Sequence, residues 1–278
     1  MSVILTEEHL LLDGEPLMAR IHRNKNAQAD APLVLHLHGG AFVSGSARDG
    51  DGVAALLSEA GATVMSADYP LAPGQPFPGA LNHVYRLLKL VDGLRGRLGQ
   101  KKSKLVVAGE EAGGNLAAAA AMMARDQQAP ALAGQILVAP MLDACMATCS
   151  MRQADAGAVG CRWADGWSDY LGSADKGGHP YASPANASRL SGLAPALIVT
   201  AGDDPMRDES LAYADRLKAA GVETTAVELF APTQWPCALQ KENLRPEPWA
   251  AALREQFSQF FETLVFGRRV ALSPVISA

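Results

Sequence analysis

The chain is organised around residues 105–116, which read LVVAGEEAGGNL. The run opens with apolar residues typical of a buried strand and continues into a tight turn bounded by Gly109 and Gly113. An alanine-rich segment of high helical propensity follows over residues 116–125. We therefore predict a sharp strand–turn–helix unit with the side chain of Glu111 at the apex of the turn.

Strand-like and helical segments alternate along the rest of the chain. Residues 3–12 and 15–22 flank Asp13-Gly14, which predicts a hairpin. Apolar runs predict further strands over 33–37, 62–67, 135–139, 196–201 and 223–230, and helical spacing predicts helices over 52–60, 81–94, 210–220 and 249–264. Residues 143–171 are predicted to be irregular. This alternation favours the α/β class, with a mostly parallel central sheet and helices on both faces.

Length and composition limit the domain count and the partners. The 278 residues suit a single domain over 1–278, and 49% hydrophobic residues suffice for a large core. A net charge of −5 without long charge runs argues against a nucleic-acid or membrane partner. No signal peptide or membrane-spanning run is apparent, which predicts a cytoplasmic protein.

Four cysteines occur in the chain, and their spacing predicts neither disulfides nor a metal site. Cys145, Cys149, Cys161 and Cys237 are too few for a disulfide framework in a chain of this length. Cys145 and Cys149 lack the neighbouring histidine and cysteine ligands of a zinc site. We expect buried or idle thiols, no metal and no cofactor.

Five motifs occur in an order that carries a family resemblance. GEEAG at 109–113 resembles the nucleophile elbow G-x-S-x-G with glutamate in place of serine. The others are HGG at 38–40, DYPLAP at 68–73, SMR at 150–152 and DPMRDE at 204–209. Together they resemble the hormone-sensitive-lipase branch of the α/β-hydrolase family, the bacterial family IV carboxylesterases. The resemblance covers about residues 33–261 and implies an α/β-hydrolase fold.

The resemblance also implies roles, and this chain departs from them in three ways. The nucleophile position holds Glu111, and the triad acid corresponds to Asp204. The family's H-G-F falls on 235–237, so that the position of the catalytic base holds Trp235, which has only an N–H donor and cannot shuttle protons. Residues 1–32 are too few for the two-helix N-terminal cap. We expect this reduced cap to leave an open site or one covered by another subunit of a homodimer, with 143–172 as a candidate lid.

The oxyanion hole is the part of the catalytic machinery that the resemblance leaves intact. The backbone N–H groups of Gly39, Gly40 and Ala112 are expected to converge in front of Glu111. Its carboxylate has two alternatives: it accepts these bonds and fills the hole, or apolar surroundings and Asp204 raise its pKa and make it a proton carrier. A third, structural interpretation is that Glu111 only caps its helix.

Five further residues are predicted to pack around the pocket or to line it. Glu110 is expected to pack beside the elbow or to pair with a surface cation. His38 reads as a structural member of the HGG motif. Tyr69 fits core packing or a ligand contact, as do the lid tryptophans Trp163 and Trp167.

Ester hydrolysis on this fold needs a hydroxyl nucleophile and an imidazole base, and both are missing at the motif positions. The leading hypothesis is therefore an enzyme that acts on a small, partly apolar molecule by general acid/base chemistry through Glu111, by elimination, decarboxylation, cyclisation or isomerisation. The alternatives are a non-catalytic ligand-binding protein and a residual carboxylesterase-type hydrolase. Glu111 as a covalent nucleophile ranks last, because no base is apparent to release the ester. The substrate stays open.

Overall fold

A single eight-stranded sheet forms the centre of the computed structural model, which describes residues 3–25, 28, 30–154, 157–230 and 232–267. The strands are β1 (Val3–Leu12), β2 (Glu15–Asn24), β3 (Leu33–Leu37), β4 (Thr63–Ala67), β5 (Leu105–Glu110), β6 (Gly134–Val138), β7 (Ala196–Ala201) and β8 (Thr224–Leu229). Their order across the sheet is β1-β2-β4-β3-β5-β6-β7-β8. Strands β4, β3 and β5 to β8 run parallel, whereas β1 and β2 are antiparallel. The predicted mostly parallel sheet is confirmed.

The N-terminal hairpin is confirmed together with its turn. Strand β1 pairs with β2 up to Leu12 opposite Glu15. The two turn residues, Asp13 and Gly14, both have positive φ, 52° and 92°. This backbone matches the two-residue turns whose twist suits a right-handed hairpin, and the Asp-Gly pair is favoured there.

Helices cover both faces of the sheet. They are α1 (Asp51–Glu59), α2 (Gly79–Gly93), α3 (Arg95–Leu98), α4 (Ala112–Asp126), α5 (Cys149–Gln153), α6 (Gly157–Leu171), α7 (Arg207–Ala219) and α8 (Ala250–Phe266). Successive residues of β3 are buried on opposite faces: Leu33, Leu35 and Leu37 pack with α2 and α4, and Val34 packs with α1 and α8. This two-sided burial explains why the strand reads as a continuous apolar run.

The prediction that residues 143–171 are irregular is wrong, because this segment contains α5 and α6. Glycines inside α6 lower its helical propensity and obscure it in the sequence. Gly166 is needed by packing: a Cβ there would lie 2.2 Å from the carbonyl oxygen of Ala41. Helix α6 therefore lies directly on the loop that follows β3.

Several predicted segments extend beyond the described residues. Met1 and Ser2 of the N-terminal region, 26, 27 and 29 of the polar turn, and 155–156 of the candidate lid lie outside them, as do the side chain of Cys161 and residues 268–278. Within the described part of the chain, no helix is long and apolar enough to cross a bilayer.

Candidate active site

The predicted elbow is present at the junction of β5 and α4. Glu111 has φ 53° and ψ −117°, a strained backbone for a residue with a side chain. A Cβ on Gly109 would lie 2.3 Å from the Gly113 carbonyl oxygen, and one on Gly113 would lie 2.1 Å from that of Leu37. Both framing glycines are thus required by backbone-to-backbone contact.

The carboxylate of Glu111 is buried, with 1% of the residue exposed, and both of its oxygens accept hydrogen bonds. Oε2 accepts from the backbone N–H of Gly40 at 2.5 Å and of Ala41 at 3.4 Å, and from Gln240 Nε2 at 3.2 Å. Oε1 accepts from Trp163 Nε1 at 2.7 Å. The side chain therefore accepts hydrogen bonds from the loop where the family resemblance places the oxyanion hole, as in the first alternative that the sequence leaves open. It makes no capping bond to α4, so the helix-cap interpretation is wrong.

The donors of the hole differ in part from the expected set. Gly40 donates as expected, but Ala41 takes the place of Ala112. Glu111 reaches away from the first turn of α4 and over the loop after β3, and this direction explains the change. The N–H of Gly39 donates instead to Glu110 Oε1 at 3.2 Å.

Glu110 belongs to a buried polar chain that joins three strands. Its Oε2 lies 2.7 Å from His36 Nε2, and His36 Nδ1 lies 3.0 Å from the hydroxyl of Ser66. All three side chains are buried, so Glu110 packs beside the elbow, as the first alternative expected, and its partner is a histidine from β3 and not a surface cation. Sequence reasoning missed His36, although a polar residue inside an apolar strand was a signal for a buried partner. Because the Gly39 N–H donates to Glu110, this series of hydrogen-bonded side chains holds the backbone of the HGG loop in place.

His38 and Tyr69 support the same loop from behind. Their rings stack with centroids 4.2 Å apart, the Tyr69 hydroxyl donates to the His38 carbonyl oxygen at 2.7 Å, and His38 Nδ1 lies 2.7 Å from the Gly39 carbonyl oxygen. Burial lowers the pKa of His38 and raises that of Tyr69 well above its ordinary value. The two side chains hold the loop in place, as expected for His38.

Asp204 lies in the turn after β7, where it is buried and hydrogen-bonded. It accepts from Thr200 Oγ1 at 2.6 Å and from the backbone N–H of Met206 at 2.9 Å. Burial is the main cause that raises its pKa to about 6; the charges of Asp203 and Glu111 act in the same direction, and the hydrogen bonds from Thr200 and Met206 oppose it. Among the described residues, Asp204 and Glu111 interact through charge and share no hydrogen bond.

Trp235 packs into the apolar core on the α8 side of the sheet. Its ring meets Trp249 edge-on, with centroids 5.1 Å apart. Its ring N–H has no hydrogen-bond partner within the described part of the chain. Asp203 holds the preceding loop by accepting from Thr233 and Gln234. This environment suits an apolar packing residue and offers no proton acceptor to the indole.

Glu111 is covered by residues of its own chain, so the open site expected from the reduced cap is wrong at this position. Helix α6 supplies Trp163, and the 3₁₀ helix Cys237–Gln240 supplies Gln240. The candidate lid within 143–172 is therefore folded over the elbow. Sequence reasoning named Trp163 only as a packing or ligand-contact residue and did not name Gln240. Neither residue belongs to a motif, so their roles as donors to Glu111 were missed.

Three cysteines have described side chains, and one of them, Cys237, lies in the 3₁₀ helix that supplies Gln240. Cys145, Cys149 and Cys237 are free and exposed, which agrees with idle thiols, the second of the two expected states, and not with buried ones. In the described ranges, no group of three histidine, cysteine, aspartate or glutamate side chains could hold a metal ion.

The fold and the elbow define a class of protein: the chain belongs to the alpha/beta hydrolase fold family, whose model matches residues 34–231. It is 35% identical to the esterase LipI of Mycobacterium tuberculosis over 77% of this chain and 69% of that protein. It is 37% identical to an arylesterase of Saccharolobus solfataricus over 69% of this chain and 64% of that protein, so the match spans less than two thirds of that relative. A thermostable esterase from Pseudomonas putida has a similar structure, with TM-score 0.82, 30% identity and coverage of 94% of this chain and 83% of that chain.

Because the pKa of Asp204 is raised, we predict that replacing this residue increases the stability of the fold at high pH. Its folded pKa of about 6 exceeds the ordinary 3.8, so the fold favours the protonated form, and stability is lost as pH rises from about 4 through 6. Asp204→Asn keeps the shape, accepts from Met206 and donates to Thr200. We expect the variant to be more stable than wild type at pH 8, by at most about 3 kcal/mol, and equal to it below pH 4. Urea unfolding of both proteins between pH 4 and pH 8 measures the difference. A difference that does not change with pH would contradict the prediction.

Proposed function

We propose that this protein is an esterase relative that no longer hydrolyses esters through a serine and a histidine, and that it acts as a non-catalytic ligand-binding protein. The main observation behind this proposal is that the Glu111 carboxylate accepts hydrogen bonds from the N–H groups of Gly40 and Ala41, which we assign to the oxyanion hole. An acyl-transfer enzyme needs those donors free for the oxygen that becomes negatively charged in the transition state. A side chain that fills the hole excludes an ester carbonyl from it.

The proton-transfer groups give a second argument for the proposal. The histidines beside the elbow make no hydrogen bond to Glu111: His36 lies between Glu110 and Ser66, and His38 contacts the Gly39 carbonyl through Nδ1. His38 Nε2 has no partner among the described residues, and burial lowers the pKa of this histidine. We assign Trp235 to the position of the catalytic base, where its indole cannot take up a proton. Glu111 carries no hydroxyl nucleophile, so neither half of the serine–histidine pair is present.

General acid/base chemistry through Glu111, the leading hypothesis from sequence, is not supported by the comparisons, since the matched relatives are named as esterases and hydrolases of esters. The geometry also argues against it. A proton on Glu111 would point at N–H donors, because both carboxylate oxygens already accept such bonds.

Residual hydrolysis of carboxylic esters is the second candidate function. The names of the relatives favour it, as does a buried acid at Asp204 whose pKa lies near 6, within reach of neutral pH. This candidate requires Glu111 to leave the hole and a water molecule to act as the nucleophile. A small-molecule partner, a cytoplasmic location and a homodimer are further parts of our proposal.

Short p-nitrophenyl esters separate the two candidates. We expect wild-type protein to hydrolyse p-nitrophenyl acetate and butyrate at the buffer rate. Glu111→Ser frees the hole but supplies no base, so we expect at most about 10³–10⁴-fold acceleration over water, the residual level of triad-deleted serine hydrolases. Glu111→Ser combined with Trp235→His is expected to add a small further rate.

The outcomes of this assay assign the function. Rapid wild-type turnover that Glu111→Gln abolishes would establish the residual hydrolase and refute the non-catalytic binder. Rapid turnover that survives Glu111→Gln but is abolished by Asp204→Asn would also establish the residual hydrolase, with Asp204 as its acid–base group. Turnover that survives both changes would show that another residue performs the chemistry.

A further inference from the structure

Four N–H donors surround the Glu111 carboxylate, and they come from three separate parts of the chain. Gly40 and Ala41 lie in the loop after β3, Trp163 lies in α6, and Gln240 lies in the 3₁₀ helix Cys237–Gln240. An oxyanion hole needs donors for one oxygen, but here Oε1 and Oε2 each have their own. The set is therefore complementary to a whole carboxylate group.

Close packing leaves little freedom for any other group in this place. A Cβ on Gly39 would lie 2.7 Å from Glu111 Oε2, and Gly166 brings the α6 backbone against Ala41. Trp163 is itself buried, and its N–H points at the carboxylate. A buried donor without an acceptor is costly, so each of these N–H groups favours a carboxylate at this point.

We propose that these four donors form a carboxylate-binding site, and that Glu111 is its tethered ligand, which holds α6 closed over the elbow. In a variant that lacks the Glu111 side chain, the same donors would bind a small aliphatic monocarboxylate. This inference is independent of the proposed function, because the site binds a carboxylate whether or not the protein also hydrolyses esters.

Glu111→Gly empties the site with little backbone cost. Glycine adopts φ 53° and ψ −117° readily, so the substitution relieves backbone strain while it removes the ligand. The atoms removed are three carbons and two oxygens, which are those of propionate. Propionate is therefore the matched probe, and propionamide has the same shape but presents an NH₂ group to a site made of donors.

Thermal unfolding of Glu111→Gly in the presence of each probe tests the proposal. We expect propionate to raise the Tm saturably, by about 5–10 °C at a concentration roughly 100-fold above its Kd. Propionamide is expected to bind at least about 10-fold more weakly. Wild type should not respond beyond a sodium chloride control of equal ionic strength, since its site is filled.

Two further variants make the result specific. Leu116→Ala destabilises a fully buried position of α4 without exposing donors, so propionate should leave its Tm unchanged. Adding Trp163→Phe to Glu111→Gly removes one donor and should weaken propionate binding about 10-fold. Equal stabilisation of Leu116→Ala, equal effects of propionate and propionamide, or no effect of propionate would each overturn the proposal.

Glu111→Gln provides an independent test should the glycine variant not fold. Glutamine offers one acceptor and one NH₂ group, so it sets donor against donor on one side of the site. We expect its Tm to fall by about 2–10 °C relative to wild type. An unchanged Tm would show that the site does not distinguish a carboxylate from an amide and would refute the proposal.

Discussion

Gly113→Ala is expected to yield little or no folded protein. The added Cβ would lie 2.1 Å from the Leu37 carbonyl oxygen and 2.4 Å from that of His38. Leu37 is the last residue of β3 and His38 follows it directly, and β3 is held on either side by β4 and β5, so neither oxygen can easily move away. We expect a loss of more than about 4 kcal/mol, a large part of the roughly 5–15 kcal/mol that stabilises a typical domain. Soluble yield and the Tm of any recovered protein measure it.

Gly93→Ala is the matched control for this substitution. Gly93 is the last residue of α2, and a Cβ there meets no atom within 4 Å. Alanine should leave the stability unchanged or raise it by up to about 1 kcal/mol. Similar behaviour of the two variants would show that the contact between β3 and α4 is looser than described.

Trp235→Ala is expected to lose about 3–5 kcal/mol, because it removes a buried aromatic side chain that packs against Trp249. We expect the apolar contacts of the Trp235 ring, and not its N–H group, to provide its contribution to stability. Chemical denaturation of the variant, with the midpoint and slope compared with wild type, measures the loss.

Trp235→Phe distinguishes packing from hydrogen bonding. The indole N–H has no partner among the described residues, so phenylalanine loses only part of the apolar contact. We expect a cost of about 1–2 kcal/mol, well below that of alanine. Equal costs for phenylalanine and alanine would indicate that the N–H group makes a bond of its own.

The sequence predicted the sheet and the elbow because both follow from local patterns. Continuous apolar runs mark strands buried on two faces, and the glycines of GEEAG mark a turn in which backbone atoms touch. The position of Glu111 followed from its place between Gly109 and Gly113. Its strained φ of 53° agrees with this prediction.

The surroundings of Glu111 could not be predicted, since they depend on contacts between distant segments. Trp163 belongs to no motif, and glycines lowered the helical propensity of its helix; one of them, Gly166, packs against Ala41. Gln240 lies 129 positions from Glu111. The choice of Ala41 over Ala112 depends on the direction of one side chain, which sequence spacing does not determine. The hydrogen-bond partners of the Glu111 carboxylate could therefore be identified only from the three-dimensional structure.

The bond between Trp163 and Glu111 also gives the protein a built-in spectroscopic marker. All four tryptophans are buried, but their ring N–H groups differ: that of Trp163 donates to a carboxylate, whereas that of Trp235 has no partner among the described residues. A charge-assisted bond deshields the bonded proton, so the two indole signals should separate in a proton–nitrogen NMR spectrum. The Trp163 signal then reports directly, without any ligand or substrate, how much of the time α6 is closed over the elbow.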